Sequence, residues 1–128
     1  MTYRFPVTAL SLALSLPIAG CVTTQQIARD DGSARLREAA RAGPLIVRPT
    51  KIVEDSRCPI NARCVRAGRL IVRAQVTFDN HSETRDLTLG KPVAIAGGTL
   101  ALDSGEPGKI AGQETRPDDY RFHFSFTN

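Results

Sequence analysis

The sequence predicts an all-β domain, in the form of a small antiparallel β-sandwich or barrel of six to seven strands. Beyond Leu45, apolar and polar residues alternate along several short segments, as they do in strands with one buried face. Residues typical of turns separate these segments at short intervals, which is the spacing of sandwiches and barrels. We expect a signal peptide, a tether and a short helix to precede this domain.

The amino terminus has the features of an export signal. Arg4 is its only charged residue, and the apolar run over 7–18 is too short to span a bilayer, which takes about 20 residues. The residues Ile18-Ala19-Gly20-Cys21 resemble the bacterial lipobox, in which the signal is removed just before a lipid-bearing cysteine. We therefore predict a signal peptide over 1–20 and lipidation of Cys21. The alternative is an ordinary secretory signal with an incidental cysteine.

The resemblance to the lipobox also implies a location. Lipobox cysteines carry three acyl chains, palmitate among them, and two or more chains anchor a protein stably. Many inner-membrane lipoproteins have aspartate after the cysteine, so Val22 favours the outer membrane, facing the periplasm. The expected partner is thus the membrane, through the lipid on Cys21. Export and a modest net charge of +4 argue against nucleic acid as a partner.

The segment between the signal and the β-domain is predicted to be a lipidated tether, 21–44, with the β-domain following over 45–128. Residues 22–32 are polar. The segment 33–42 is rich in Ala, Arg, Leu and Glu, which favour helix, and Gly43-Pro44 would end that helix. We expect this helix to be short and exposed because the segment has few apolar residues.

Alternation identifies the strands of the first half of the domain. Two β-branched runs, 45–48 and 51–54, are separated by Pro49. The clearest period of two lies over 69–78, where Leu70, Val72, Ala74, Val76 and Phe78 share a face.

The second half of the domain reads as hairpins. Asp79–Ser82 is a turn after which 83–89 returns as a strand. The runs 93–96 and 99–102 flank Gly97-Gly98, a pair typical of tight hairpin turns. The loop 103–118, which has a possible small strand at 109–111, is long enough to be a candidate contact surface.

The last predicted strand, 120–126, is expected to form the centre of the core. Four aromatic residues lie on one face of this strand: Tyr120, Phe122, Phe124 and Phe126. The residues before it, Arg116 to Tyr120, are similar to a tyrosine corner, in which the phenol bonds back to an upstream backbone group.

The cysteine count predicts a disulfide. With Cys21 assigned to lipid, Cys58 and Cys64 remain as an even pair in an oxidising compartment. The loop they close is short, so its chain-entropy contribution is below about 3 kcal/mol, and its main effect is to fix the shape of a turn. Asp55 and Ser56 can accept backbone hydrogen bonds within this turn.

The run Asp55-Ser56-Arg57-Cys58-Pro59, followed by Cys64 and Ala67-Gly68, resembles an uncharacterised family of small bacterial envelope lipoproteins. Its members share a D-S-R-C-P motif, a second cysteine, then A-G and a strand. The resemblance continues through 86–90 and the last strand. An aromatic residue, often Trp, occupies the family position that holds Arg66 here. The resemblance implies a type of protein without an assigned activity.

Two interpretations of this segment remain open. In the first, the disulfide staples a turn and Asp55, which can pair with Arg57, is part of the turn. In the second, the rigid loop is a recognition site, because arginine matches carboxylate and phosphate groups bidentately. The candidate binding residues are Arg57, Arg63, Arg66 and Arg69. They indicate a partner protein or an anionic envelope polymer, unless they form an ordinary solvated face.

Metal binding and catalysis have little support in the sequence. Cys58 and Cys64 have a C-x5-C spacing that fits neither common zinc pattern, and His81 and His123 are isolated. G-x-S-x-G, H-E-x-x-H and phosphate-loop motifs are absent from the chain. We therefore predict no metal, no cofactor and no enzyme, but a noncatalytic structural or binding module of the envelope. The alternative is a recognition or inhibitor-like module that presents the Cys58–Cys64 loop.

Overall fold

A computed structural model describes residue 20 and residues 27–128 of the chain, and it confirms the predicted all-β sandwich. The strands, in chain order, are β1 (Ser33–Ala34), β2 (Ala40–Ala42), β3 (Leu45–Asp55), β4 (Leu70–Phe78), β5 (His81–Thr88), β6 (Val93–Ile95), β7 (Gly98–Glu106) and β8 (Arg121–Thr127). They form two four-stranded antiparallel sheets, in the orders β2-β3-β4-β5 and β1-β8-β7-β6. A single 3-10 turn over Pro117–Asp119 precedes β8.

The helix predicted over 33–42 is wrong, because this segment forms β1 and β2. Ala34, Ala40 and Ala42 are buried in the core, so the alanines that favour a helix serve here as small inward-facing strand residues. Helix propensity differs by only a few tenths of a kcal/mol per residue, and sheet pairing outweighs it. The β-domain therefore includes residues upstream of Leu45, and the segment joins both sheets by pairing β1 with β8 and β2 with β3.

Strand β3 is continuous, whereas the sequence predicted a break at Pro49. Pro49 is buried and lies opposite Ala74, beyond the point where β2 stops pairing with β3. The register shifts immediately after it, between Pro49 and Lys51, and Thr50 donates a side-chain hydrogen bond to the Arg73 carbonyl at 3.1 Å. A bulge is one of the few places where a sheet accommodates proline.

Both tight hairpin turns use two residues with positive φ, which matches the twist of the strands they join. Asp79 and Asn80 form the β4–β5 turn, with φ of 46° and 58°, so this turn is shorter than the predicted Asp79–Ser82. In the β6–β7 turn, Ala96 and Gly97 take the place of the predicted Gly97-Gly98 pair. Gly98 instead starts β7, where a Cβ would lie 2.5 Å from the Phe126 ring.

The core lies between the two sheets, as the alternation predicted. Leu70, Val72, Ala74 and Val76 of β4 are all 0% exposed. From the opposite sheet, the aromatic face of the last strand is also confirmed: Tyr120, Phe122 and Phe124 are buried and Phe126 is partly buried against them. The sandwich therefore gives a rigid frame to the loops at its ends.

Candidate functional site

The most distinctive surface of the protein is the connection between β3 and β4, residues 56–69, which we call the disulfide loop. It lies at the end of the sandwich where β3 and β7 finish and where β4 and β8 begin. Cys58 and Cys64 are joined in a disulfide, as predicted, with 5.9 Å between their Cα atoms. We call this side of the molecule the loop end.

Backbone hydrogen bonds continue the β3–β4 ladder into the neck of the loop. Ser56 N–H donates to the Arg69 carbonyl at 2.9 Å, and Arg69 N–H donates to the Ser56 hydroxyl at 3.0 Å. One step further, Cys58 N–H donates to the Ala67 carbonyl at 3.0 Å. Asp55 accepts from Arg57 N–H at 3.4 Å, so both predicted acceptors, Asp55 and Ser56, receive backbone hydrogen bonds.

Gly68 explains the A-G part of the motif. Its φ is +68°, and a Cβ at this position would lie 1.7 Å from the Ser56 carbonyl oxygen. Both the backbone conformation and the close approach of the facing chain therefore require glycine.

A half-buried ion pair holds the base of the loop. Arg57 donates from Nε to Asp55 Oδ1 at 2.8 Å and from Nη2 to Asp55 Oδ2 at 2.9 Å, a bidentate arrangement. The two side chains are 17% and 7% exposed, respectively. Arg57 also donates to the carbonyls of Gly105 and Pro107. The structure thus confirms the expected Asp55–Arg57 pair. The guanidinium of Arg57 is hydrogen-bonded within the domain and does not project from the surface.

Tyr120 completes this cluster. Its phenol donates to Asp55 Oδ2 at 2.7 Å, whereas the tyrosine-corner prediction expected a backbone acceptor. That detail of the prediction is wrong because the Asp55 carboxylate, a stronger acceptor, lies within reach. Lys109 adds a further bond, from Nζ to the Asp55 carbonyl at 2.7 Å.

The environment of the cluster favours one set of protonation states. Burial raises the pKa of Asp55, but hydrogen bonds from Arg57 and Tyr120 outweigh it and leave that pKa below its usual value. Burial and the bond to Asp55 raise the pKa of Tyr120. The hydrogen bond to Asp55 raises the pKa of Arg57 despite burial. At neutral pH the carboxylate and guanidinium are both charged and the phenol keeps its proton.

The segment after β7 braces the disulfide loop from the other side. Ile60 N–H donates to the Lys109 carbonyl at 2.8 Å, and Ala111 N–H donates to the Asn61 side chain at 2.9 Å. The predicted long loop 103–118 is in fact shorter, because β7 runs on to Glu106, and 109–111 forms no strand. Part of this loop packs against the disulfide loop and supports it.

The tip of the disulfide loop is open to solvent. We call residues 60–66 the tip; all of them are exposed, and among their apolar side chains Ile60 is 76% and Val65 104% exposed. Arg63 and Arg66 flank Val65 and make no ion pair or side-chain hydrogen bond within residues 27–128. Arg69, by contrast, binds Glu54, with its Nε 2.8 Å from Oε2.

The four predicted binding arginines therefore fall into two groups. Arg57 and Arg69 hold the base of the loop, and Arg63 and Arg66 project from its tip. Ile60 and Val65 were not among the predicted binding residues, although an aliphatic residue between arginines in a polar loop signals an exposed apolar side chain. The Tyr120–Asp55 bond was not predicted either, since those residues are 65 positions apart.

The predicted lipidation site, Cys21, lies outside the described residues, as do Val22 and residues 1–19 of the predicted signal. Nε2 of His81 lies 3.6 Å from Oε2 of Glu83, and Nδ1 of His123 lies 3.1 Å from Oδ2 of Asp103. Over the described ranges, the structure brings together no group of three His, Cys, Asp or Glu side chains able to hold a metal ion. Those ranges also contain no helix with the length and apolar character needed to cross a membrane.

Comparison with protein-family models gives no match to this chain. Comparisons with curated proteins and with solved structures likewise give no match.

Proposed function

We propose that this protein is a lipid-anchored, noncatalytic binding module of the bacterial envelope that presents the disulfide loop to an anionic partner. The observation that carries the proposal is the contrast within the loop. Its base is locked by the Asp55–Arg57–Tyr120 cluster, while its tip exposes Val65 between Arg63 and Arg66, which have no ion-pair partner among residues 27–128.

Rigidity supports a binding role. A flexible loop loses conformational entropy when a partner orders it, and a loop held in one shape avoids most of that loss. The disulfide, the neck hydrogen bonds and the brace at Lys109 and Ala111 restrict the loop from three sides. The two arginines offer planar, permanently charged donors for carboxylate or phosphate groups.

The protonation states of the half-buried Asp55–Arg57–Tyr120 cluster support a noncatalytic role. A general acid or base works best with a pKa near the operating pH. Asp55 has its pKa lowered and Tyr120 has its pKa raised, so each group is shifted away from neutrality. The cluster is better suited to holding the loop than to exchanging protons.

A purely structural role is the second candidate, favoured by a specific observation. The motif residues Asp55, Ser56, Arg57 and Gly68 all contact the base of the loop and none reaches its tip. In this interpretation the disulfide staples the end of the sandwich and the arginines at the tip are solvated charges.

Binding assays with envelope fractions distinguish the two roles. Mature protein is incubated with cell-wall and lipopolysaccharide fractions, and retention is compared with that of an R63A/R66A variant. The control, K51A/R85A, removes the same charge from strands β3 and β5. The proposal expects retention of wild type and control and loss of R63A/R66A, and equal retention of all three proteins overturns it.

A further inference from the structure

The path of the chain between residues 27 and 42 shows where the tether leaves the domain. Strand β2 is antiparallel to β3, which runs toward the loop end, so β2 runs away from that end. Arg29 forms a parallel bridge with Ala40, with Arg29 N–H donating to the Ala39 carbonyl and Arg41 N–H to the Arg29 carbonyl. The chain at Arg29 therefore also runs away from the loop end, so Ile27 and Ala28 lie nearer to the loop end than Arg29 does.

The position of Ile27 is consistent with this direction of the chain. Together with Arg29, Glu38 and Ala39 it lines a shallow surface depression beside the β1–β2 turn. That turn is joined to the loop end through Arg37, whose Nη2 donates to Asp118 Oδ1 at 3.0 Å. From Ile27 back to Cys21 there are six residue steps, which reach about 20 Å at most. A lipid on Cys21 would therefore hold Ile27, and the β1–β2 turn beside it, close to the bilayer.

The tip of the loop has the chemistry of a membrane-contacting surface. Val65 and Ile60 are 104% and 76% exposed, although aliphatic side chains favour burial away from water. Arg63 and Arg66 lie in the same loop, and the described part of the chain offers their guanidinium groups no carboxylate partner. Aliphatic side chains that enter the headgroup region, flanked by cations that bind lipid phosphates, are typical of peripheral contacts with anionic membranes.

We infer that the tip of the disulfide loop seats on the anionic lipid surface of the membrane that carries the Cys21 anchor. This inference rests on the proposed function and names its partner: phosphate-bearing lipid headgroups. The loop and the lipid then form two attachment points, one covalent and one reversible. Because the anchor keeps the loop at a high effective concentration near the surface, a weak interaction is sufficient to orient the domain.

Vesicle binding tests the inference with the unlipidated mature chain, made soluble by Cys21→Ser. Vesicles contain either phosphatidylcholine alone or phosphatidylcholine with one-third phosphatidylglycerol. We expect binding to the anionic vesicles that weakens at high salt. R63A/R66A should lower the partition coefficient about 30-fold, since each arginine near an anionic surface contributes about 1 kcal/mol. V65D should also lower it, and K51A/R85A, which keeps the loop intact, should bind better than R63A/R66A.

A fluorescence measurement reports orientation on the lipidated protein. The chain has no tryptophan, so a single introduced one is a clean probe. In anionic vesicles, the lipidated Val65→Trp variant should emit at a shorter wavelength than the unlipidated Cys21→Ser form of the same variant does in buffer without detergent. The emission of Thr127→Trp, at the opposite end of β8, should not shift. Unshifted emission of Val65→Trp, or equal shifts at both positions, overturns the inference.

The two proposals fail in different ways. Retention by cell-wall or protein fractions that depends on Arg63 and Arg66, without binding to anionic vesicles, refutes the membrane contact and leaves the recognition role in place. If R63A/R66A still binds both the envelope fractions and the anionic vesicles, both proposals are refuted. Circular dichroism and thermal unfolding of each variant show whether lost binding reflects lost folding.

Discussion

The phenol of Tyr120 donates a 2.7 Å hydrogen bond to Oδ2 of Asp55 and so joins the start of β8 to the end of β3. The same carboxylate receives the bidentate guanidinium of Arg57. On its other side, the Tyr120 ring stacks on Phe122, with 5.8 Å between ring centroids. One residue thus connects the aromatic core to the base of the disulfide loop.

Removal of the phenolic oxygen should destabilise the domain without unfolding it. Tyr120→Phe keeps the stacked ring but deletes a hydrogen bond to a charged acceptor, which contributes about 1.5–3 kcal/mol. Chemical denaturation measures the loss. In a double-mutant cycle with Asp55→Asn, the two effects should be less than additive, because both substitutions weaken the same cluster. Strict additivity would contradict the coupling of these residues.

Because of the Asp55–Arg57 pair, the free energy of unfolding should fall as the pH is lowered into the acid range. The pKa of Asp55 is lower in the folded state than its ordinary value of 3.8, so the unfolded chain binds the proton more readily. Its contribution is fully present above pH 3.8 and is lost as the pH falls through the lowered folded pKa. Denaturation midpoints between pH 7 and pH 2 should decline less steeply for Asp55→Asn. Asp86→Asn is the control, since that side chain is 43% exposed and its pair with Arg73 is screened by solvent.

Alanine at Gly68 should cost far more stability than alanine at Gly90. Both glycines have positive φ, +68° and +76°, so both substitutions incur the backbone cost of about 1–2 kcal/mol. At Gly68 the new Cβ also meets the Ser56 carbonyl, whereas at Gly90 no atom lies within 4 Å. Urea unfolding of G68A and G90A measures the difference. Equal losses would show that the close approach at Gly68 is relieved without cost.

Loss of the disulfide should weaken the loop more than the fold. Cys58 and Cys64 are six positions apart, and the chain-entropy model gives a loop of this size about 2 kcal/mol. Neither cysteine belongs to the cluster of buried core residues between the sheets, so C58S/C64S should keep its β-sheet circular dichroism spectrum. Its binding to anionic vesicles should fall, because the tip is no longer held in one shape. Unchanged binding would show that the disulfide is not needed to preorganise the tip.

Lipidation of Cys21 should be visible in cells that export the protein. Intact-mass measurement of membrane-extracted protein should show a chain that begins at Cys21 and carries acyl chains. Cys21→Ser should release the protein from the membrane fraction, because the loop alone binds weakly. Recovery of an unacylated chain cleaved elsewhere would contradict the lipobox assignment.

Much of the sheet architecture was predictable from local pattern. The alternation from Leu70 to Phe78 predicted both the strand and its buried face, and four alternating aromatics predicted the central position of β8. Alternation works here because each side of a strand meets one environment, the core or water. The prediction of a helix over 33–42 was wrong because alanine suits a helix and a tightly packed strand equally well. Only pairing with β8 and β3 decides between the two structures.

The site was predictable in part. The cysteine count identified the disulfide, and residue type marked four candidate arginines, but residue type carries no information on which of them are already bonded. Arg57 is occupied by carbonyls about 50 positions away, on the segment after β7. The place of Pro49 could not be predicted from local sequence either. Its position inside a continuous strand depends on a bulge and on the point where β2 stops pairing with β3.

The sequence by itself determined the all-β class, the presence of the two hairpins and the cysteine pair, because these depend on neighbours within a few residues. Only the tertiary structure decided that Arg57 supports the loop and that Arg63 and Arg66 remain available at its tip. It also decided that the chain at Ile27 lies beside the β1–β2 turn. Those properties depend on contacts between segments distant along the chain, and the packing of two sheets brings such segments together.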